Sequence, residues 1–152
     1  MSDDKFDVLK LENQLCSPLY ACSKEIVKRY KPFLDEIDLT YTQYIAMMVM
    51  WEQKEINVKR LGEYLYLDSG TLTPVLKKLE AKEYISRHRS KVDERNLIIT
   101  ITDKGAELKN QAVHIPEEMG KCICISAEEA HLLRKLIGKI LNQVAFGNND
   151  DR

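Results

Sequence analysis

Four cysteines are the residues of this sequence best suited to redox or metal chemistry, and they stand at positions 16, 22, 122 and 124. Cys16 belongs to the stretch "QLCSPLYAC", just before Ser17 and Pro18. Serine favours the N-cap of a helix and proline its first turn, so we expect a helix to begin there. The dipole of that helix would stabilise a thiolate at Cys16, which peroxide attacks readily. A single cysteine on an apolar helical face is nevertheless more often core packing than a sensor.

The other three cysteines allow several interpretations. Cys22 lies nearly opposite Cys16 on an ideal helix, so a disulfide between them is unfavourable and core packing is the simpler expectation. Cys122 and Cys124 form the C-x-C pair of "KCICIS". With scattered histidines, this pair is only a weak signal for a metal site. We therefore expect no metal and no cofactor.

Composition favours one ordinary globular domain. The chain has 152 residues, 44% of them hydrophobic and 31% charged, with a net charge of −1. This length suffices for one domain with its own core, and the charge excludes a general polycation. Its N-terminus lacks the apolar region of a secretory signal, and the most apolar run, "YIAMMVMW", is too short to span a bilayer. We therefore expect a cytoplasmic protein, in which thiols stay reduced.

Apolar periodicity predicts four helices in the first half of the chain. The first helix begins at Ser17–Pro18 and ends near Pro32. Thr40 caps a second, roughly 41 to 53, which is apolar nearly all round and so should be buried centrally. A short helix of about two turns follows in "NVKRLGEYLYL". A fourth begins in "DSGTLTPVLKKLEAKEY", with apolar residues at helical spacing from Leu72 onward.

The second half changes period and then returns to helix. Alternating residues in "YISRHRS" and "NLIITIT", joined by the polar "KVDER", predict a two-stranded β-hairpin. Thr102 caps a long helix that is interrupted near Pro116. Ser126 and Glu129 form a capping-box pattern. That pattern opens a last helix with a wide apolar stripe over 132–144.

The order of helices and hairpin predicts a winged helix-turn-helix, a fold class that is mainly α with a small β-hairpin wing. The outer face of the fourth helix is polar and partly basic, which suits the major groove of DNA, and a basic wing suits the minor groove. The segment from Val58 to Arg95 contains nine basic and six acidic residues. Either piece alone could be a solvated surface, but their ordered combination favours DNA binding. The candidate contacts are Ser69, Thr71, Thr73, Pro74, Lys77 and Lys78 on the helix, and Arg87, Arg89, Lys91 and Arg95 on the hairpin.

Two stretches carry a resemblance to the MarR family of bacterial transcription regulators, namely "YLYLDSGTLTPVLKKLE" and "RSKVDERNLIITITDKG". The D-x-R wing signature of that family matches Asp93 and Arg95, so the resemblance adds Asp93 to the DNA-binding set. An aspartate or glutamate in the wing would hold Arg95 in place. The segment "LENQLCSPLYACSKEIVKRYKPFLDEIDLTYTQY" narrows the resemblance to the OhrR branch, which senses organic hydroperoxides, and to its staphylococcal relatives. The resemblance extends from about Leu11 to Ile115.

The resemblance implies a homodimer that binds a pseudo-palindromic operator, usually as a repressor, and not an enzyme. It implies a single MarR-type domain over residues 1–152. The dimerisation helices would lie in about 11–40 and 102–146, and the DNA-binding region in about 41–101. A dimer interface would also explain the wide apolar stripe of the last helix.

The resemblance further assigns roles at the thiol. Cys16 becomes the redox sensor, and Tyr20, Tyr30 and Tyr41 match the tyrosines of its pocket. In two-cysteine members a resolving cysteine attacks the oxidised sensor of the other subunit, and Cys122 or Cys124 lies in the corresponding region. The rival is a one-cysteine mechanism in which a low-molecular-weight thiol caps the sensor.

Three further alternatives concern the signal and the chemistry. The regulator could respond to a small aromatic ligand or to general oxidative stress. A thiol peroxidase is disfavoured because the sequence has no cysteine–arginine motif of the usual kind. Pro18 departs from the family pattern and leaves the shape of the sensor pocket open.

Overall fold

The computed structural model describes residues 5–146, in which seven α-helices and three strands follow one another. The helices are α1 (Cys16–Glu36), α2 (Tyr41–Gln53), α3 (Val58–Leu65), α4 (Ser69–Ala81), α5 (Asp103–Ala112), α6 (Ile115–Ile123) and α7 (Ala127–Phe146), and the strands are β1 (Glu55–Asn57), β2 (Ile85–Arg89) and β3 (Leu97–Ile101). Two short 3₁₀ turns precede α1. The predicted fold class, mainly α with a small β wing, is confirmed. No helix in this part of the chain is both long and apolar enough to cross a bilayer.

Helix α1 differs from the prediction at both ends. It begins at Cys16, and no side chain caps it. Ser17 and Pro18 therefore lie inside its first turn, where the missing N–H of proline breaks no helical hydrogen bond. The helix also continues through Pro32 to Glu36. Its last turns pack against the core, and this packing outweighs the local preference of proline to end a helix.

Helix α2 is the central element, as predicted. The Thr40 hydroxyl accepts a hydrogen bond from the Gln43 backbone N–H at 3.3 Å, and the Gln43 side chain accepts one from the Thr40 N–H at 3.1 Å. This reciprocal cap satisfies two N–H groups at the start of the helix. Tyr44, Met47 and Met50 of α2 are buried, so the helix supplies much of the core.

The wing has three strands, so the predicted two-stranded hairpin was incomplete. Strand β1 pairs antiparallel with β3, and the sheet order is β1-β3-β2. Ile56 of β1 lies opposite Ile99, which is fully buried. Three residues are too few to show an alternating pattern, which is why the sequence did not reveal β1. Pairing of β1 with β3 joins the base of the wing to the segment between α2 and α3.

The core lies where α2, α3 and α4 meet the sheet and the start of α6. Its largest fully buried side chains are Met47, Met50, Leu61, Leu72, Leu76, Leu79, Ile85, Ile99, Ile115 and Met119. The predicted interruption near Pro116 is confirmed, because α5 ends at Ala112 and α6 begins at Ile115. In contrast, no residue of α7 from 127 to 145 is buried.

Candidate DNA interface and thiol site

Helix α4 presents a polar face supported by a buried one. The Asp68 carboxylate caps the helix by accepting the Thr71 N–H at 2.8 Å, and this hydrogen bond lowers the pKa of Asp68. The Thr73 hydroxyl donates to the Ser69 carbonyl at 2.7 Å. A helix of 13 residues is about 20 Å long and fits the roughly 12 Å wide major groove. All six predicted contacts on it are exposed, and they are Ser69, Thr71, Thr73, Pro74, Lys77 and Lys78.

Asp93 shapes the tip of the wing. One of its carboxylate oxygens accepts the backbone N–H of Arg95 at 3.1 Å and the Arg95 guanidinium Nε–H at 3.2 Å. The other accepts the Asn96 side-chain amide at 3.4 Å. The Arg95 side chain is 92% exposed, and Lys91 is exposed beside it. The expectation that a carboxylate holds Arg95 is confirmed, because Asp93 orients the arginine while leaving it open to solvent.

Arg87 has a different place from the one expected. Its backbone N–H and guanidinium donate three hydrogen bonds of 2.9 to 3.1 Å to the Glu80 carboxylate on α4. The hydrogen bond from the guanidinium lowers the pKa of Glu80. The Arg87 side chain is only 21% exposed. Arg87 thus ties β2 to α4, and Glu80, which sequence reasoning missed, is its partner.

The two thiols of α1 are both exposed, so core packing within one chain is wrong for Cys16 and Cys22. Cys16 is the first residue of the helix and not, as expected, the residue ahead of it. It still lies at the positive end of the helix dipole. Tyr20 follows one turn later, and the Lys24 amine lies 5.0 Å from the centre of its ring.

Three tyrosine rings gather between α1 and α2. The ring centres of Tyr30 and Tyr41 are 5.0 Å apart, and Tyr44 lies 5.8 Å and 6.5 Å from them. Burial raises the pKa of all three phenols, so their hydroxyls stay protonated and can donate hydrogen bonds. Within residues 5–146, the hydroxyls of Tyr30 and Tyr41 have no hydrogen-bond partner. Sequence reasoning missed Tyr44, although it lies three residues after Tyr41 on the same side of α2.

One chain does not bring Cys16 and these tyrosines together. Cys16 and Tyr30 are fourteen residues apart on the single helix α1, which corresponds to about 21 Å along its axis. Of the predicted pocket residues, only Tyr20 lies within one turn of the thiol.

The second pair of cysteines lies where α6 ends. Cys122 occupies the last turn, and Cys124 follows the helix with a left-handed backbone at φ 55°. The Cys124 N–H donates to the Gly120 carbonyl at 3.1 Å. Both thiols are exposed. Among the described side chains, no group of three or more His, Cys, Asp or Glu is placed to hold a metal ion.

Apolar side chains are exposed near the start of α1 and along α7. Leu136 of α7 is 50% exposed, and Leu15 at the start of α1 is 67% exposed. The exposed apolar residues of α7, which we call the α7 stripe, are Leu132, Leu133, Leu136, Ile137, Ile140 and Val144. A stripe of exposed apolar side chains along one helix marks a surface that another molecule covers.

Comparison with known proteins identifies a family and two relatives. Residues 28–112 match the model of the family described as transcriptional regulator SarA/Rot. The organic hydroperoxide resistance transcriptional regulator of Bacillus subtilis (strain 168) is 49% identical over 134 residues, which cover 88% of this chain and 89% of that protein. The HTH-type transcriptional regulator SarZ of Staphylococcus aureus (strain MRSA252) is 42% identical over 144 residues, covering 93% and 95%.

Among solved structures, AbfR of Staphylococcus epidermidis is similar in several states. Reduced AbfR bound to DNA gives a TM-score of 0.75 at 30% identity, covering 90% of this chain and 95% of that chain. Disulfide-formed AbfR gives 0.59 at 32% identity, covering 92% and 99%. Overoxidised AbfR bound to DNA gives 0.71, so this chain is more similar to DNA-bound AbfR than to disulfide-formed AbfR.

Proposed function

Because this chain belongs to the SarA/Rot family of transcriptional regulators and to the OhrR-like branch of the MarR family, we propose that it is a DNA-binding repressor that releases its operator when an organic hydroperoxide oxidises Cys16. The observation that carries the proposal is the exposed thiol at the first residue of α1, in a chain similar to a hydroperoxide-resistance regulator. Acting on DNA, it would work in the cytoplasm.

The DNA side of the proposal uses two elements. The exposed face of α4 enters the major groove, while Lys77 and Lys78 lie near its rim and contact phosphates. Arg95, held outward by Asp93, enters the adjacent minor groove, where negative potential attracts guanidinium groups. Arg87 contributes indirectly, because it fixes the wing to α4.

The active form is a symmetric homodimer. A second copy would cover the α7 stripe, together with the exposed apolar residues near the start of α1. The dimerisation regions would then be about 11–40 and 102–146, leaving about 41–101 to bind DNA. A twofold axis places two α4 helices on a pseudo-palindromic operator, with half-sites about 34–36 Å or a multiple of that apart.

The dimer also completes the sensor pocket. The length of α1 keeps the thiol about 21 Å from Tyr30 of its own chain. In our proposal, Cys16 of one copy therefore meets the tyrosines of the other. The free hydroxyls of Tyr30 and Tyr41 donate hydrogen bonds to the Cys16 thiolate and keep it ionised, while Tyr20 closes the pocket next to it.

The signal is an oxidation of Cys16 in two steps. The thiolate attacks the terminal oxygen of the hydroperoxide, which breaks the O–O bond, gives a sulfenic acid at Cys16 and leaves an alkoxide that takes up a proton to become an alcohol. A thiol of the other copy, Cys122 or Cys124, then attacks the sulfenic sulfur, forming a disulfide and releasing water. In the one-cysteine rival, a low-molecular-weight thiol takes that role. Either product removes the anion that the tyrosines hold and shifts the dimer toward a state with low operator affinity.

A gel-shift experiment tests the proposal with the promoter next to the protein's own gene. We expect reduced wild type, Cys16→Ser and Cys22→Ser all to bind, and cumene hydroperoxide to release wild type and Cys22→Ser but not Cys16→Ser. One hydroperoxide should be consumed for each Cys16, without turnover. The sensor role is wrong if Cys16→Ser responds like the wild type, and the DNA role is wrong if reduced wild type does not bind.

Non-reducing gels of the same samples distinguish the two mechanisms. In the two-cysteine mechanism, the oxidised wild type forms a covalent dimer that is lost in Cys122→Ser or in Cys124→Ser. In the one-cysteine mechanism, no covalent dimer forms, and mass spectrometry finds a small thiol on Cys16.

A small aromatic ligand is the second candidate signal, favoured by one cavity. A pocket of about 420 Å³ lies between α2 and the α5–α6 junction, lined by Tyr44, Met48, Trp51, Lys109 and Val113 among others. Its size and apolar walls suit a small ring compound. Release of the operator from reduced Cys16→Ser by such a compound would support this candidate.

A further inference from the structure

A line of aromatic contacts leaves the tyrosine cluster along α2. The Tyr44 ring packs on Tyr30 and Tyr41, and its other side meets the Trp51 ring edge-on at 6.3 Å and 68°. Tyr44 and Trp51 are seven residues apart, so both side chains lie on the same face of α2. Since Tyr44 is only 3% exposed, its ring cannot move without its neighbours.

Trp51 connects this line to α5. Its indole N–H donates to the Gly105 carbonyl at 2.8 Å, joining positions 54 residues apart. The hydrogen bond is partly buried, so neither group can exchange its partner freely for water. A shift of the indole ring therefore pulls on the first turn of α5.

The backbone of Gly105 in turn packs closely against Tyr84, at the base of the wing. A β-carbon at this position would lie 2.1 Å from the Tyr84 carbonyl oxygen, so helix and strand touch here backbone to backbone. Thr102, which caps α5 by accepting the Gly105 N–H at 3.0 Å, donates its own backbone N–H to the same carbonyl at 3.1 Å. Tyr84 directly precedes β2, so α5 and β2 cannot shift independently.

The last connection leads from β2 to α4. Arg87 of β2 holds Glu80 of α4 through its three hydrogen bonds. Contacts thus run without a gap from the tyrosine cluster through Trp51, Gly105 and Tyr84 to the elements that read DNA.

We infer that Tyr44 and Trp51 are positioning residues that transmit the state of the thiol site to the wing and α4. The inference rests on the proposed function. When Cys16 loses its negative charge, the hydroxyls of Tyr30 and Tyr41 lose their acceptor and their rings change packing. Tyr44 follows them, and Trp51 carries the change to α5. Packed aromatic side chains switch between discrete arrangements, which is how a local change becomes a movement of whole elements.

Trp51→Phe tests this inference because it keeps an aromatic ring while removing the hydrogen bond to Gly105. We expect the reduced variant to bind the operator nearly as the wild type does, with an oxidant-induced loss of affinity that is smaller by about threefold or more. Tyr44→Leu, which removes the ring, should act in the same way. Tyr44→Phe, which removes only the hydroxyl, should respond like the wild type.

Trp51 also serves as a fluorescent probe of its own surroundings, because it is the only tryptophan in the sequence. Its fluorescence should change when the wild type is oxidised and stay constant in Cys16→Ser. Oxidation of Cys16 in Trp51→Phe, followed by mass spectrometry, should proceed as in the wild type, because the variant disturbs transmission and not the thiol.

Two outcomes overturn the inference. If oxidant releases wild type and Trp51→Phe equally, Trp51 does not transmit the signal, while the proposed function stands. If the wild type itself keeps its operator after oxidation, the proposed function fails and the inference fails with it. Because Trp51→Phe is conservative, it decides the question even if Tyr44→Leu does not fold.

Discussion

At the scale of single residues, the pair formed by Arg87 and Glu80 makes a prediction about pH. The hydrogen bond from Arg87 lowers the pKa of Glu80 from its usual value near 4.5. The ionised pair therefore stabilises the fold fully above about pH 4.5, and this stabilisation is lost as the pH falls through the lowered pKa. Glu80→Gln should lower the free energy of unfolding at pH 7 by about 1 kcal/mol or less, since the Glu80 side chain is 37% exposed.

Chemical denaturation at pH 7 and at about pH 3 measures this effect. The difference between wild type and Glu80→Gln should shrink at the lower pH, because protonation of Glu80 removes its ion pair with Arg87. Glu52→Gln is the matched control, because Glu52 is an exposed carboxylate of α2 without an ion pair among the described residues. A gap between Glu80→Gln and wild type that stays constant with pH contradicts the prediction.

Residue identities could be predicted where the chemistry is local. The polar face of α4 follows from helical spacing, and the link between Asp93 and Arg95 spans only two residues. The link from Arg87 to Glu80 depends on how β2 packs against α4, and no pattern within either element indicates it. The exposure of Cys16 also depends on what the rest of the chain leaves uncovered.

At the scale of elements, two glycines in neighbouring helices predict opposite effects of the same substitution. In Gly105→Ala, the new methyl group would collide with the Tyr84 carbonyl oxygen at 2.1 Å, so α5 and β2 must separate. We expect a loss of about 1–3 kcal/mol in the free energy of unfolding. Gly120→Ala in α6 meets nothing within 4 Å and should leave stability unchanged or raise it by up to about 1 kcal/mol.

Urea unfolding of both variants checks this pair. Equal stabilities would mean that α5 does not contact the base of the wing as closely as described. Gly105→Ala should also weaken operator binding, because its clash lies at the start of β2.

The elements themselves were predictable where a short motif defines them. The reciprocal caps at Thr40 with Gln43 and at Ser126 with Glu129 both form, and each uses residues three positions apart. Strand β1 and the continuation of α1 through Pro32 were not predicted. Both depend on packing partners distant in the sequence, which override local preference.

At the scale of the whole molecule, the winged-helix order was predictable because its strongest signals are periodic and sequential. The arrangement of the thiol site was not predictable. Cys16 and Tyr30 lie about 21 Å apart along α1 of one chain, so the site cannot form from neighbouring residues of that helix. In the proposed dimer, a second copy would complete the proposed sensor pocket and cover the α7 stripe. The whole-molecule hypothesis is therefore best tested at the stripe.

Leu136→Glu places a carboxylate in the middle of the α7 stripe, where the proposed dimer would bury it without a partner. Such a charge costs about 3 kcal/mol or more, which raises the dimer dissociation constant by at least about 100-fold. Asn142→Asp, on the polar face of the same helix, adds the same charge and should leave the dimer intact. Light scattering during size-exclusion chromatography measures the mass of each variant. A monomeric wild type, or a Leu136→Glu variant that dimerises as well as Asn142→Asp, would show that the stripe serves another partner. With the dimer lost, operator binding should fall as well, because a monomer presents only one α4 helix and one wing to the operator.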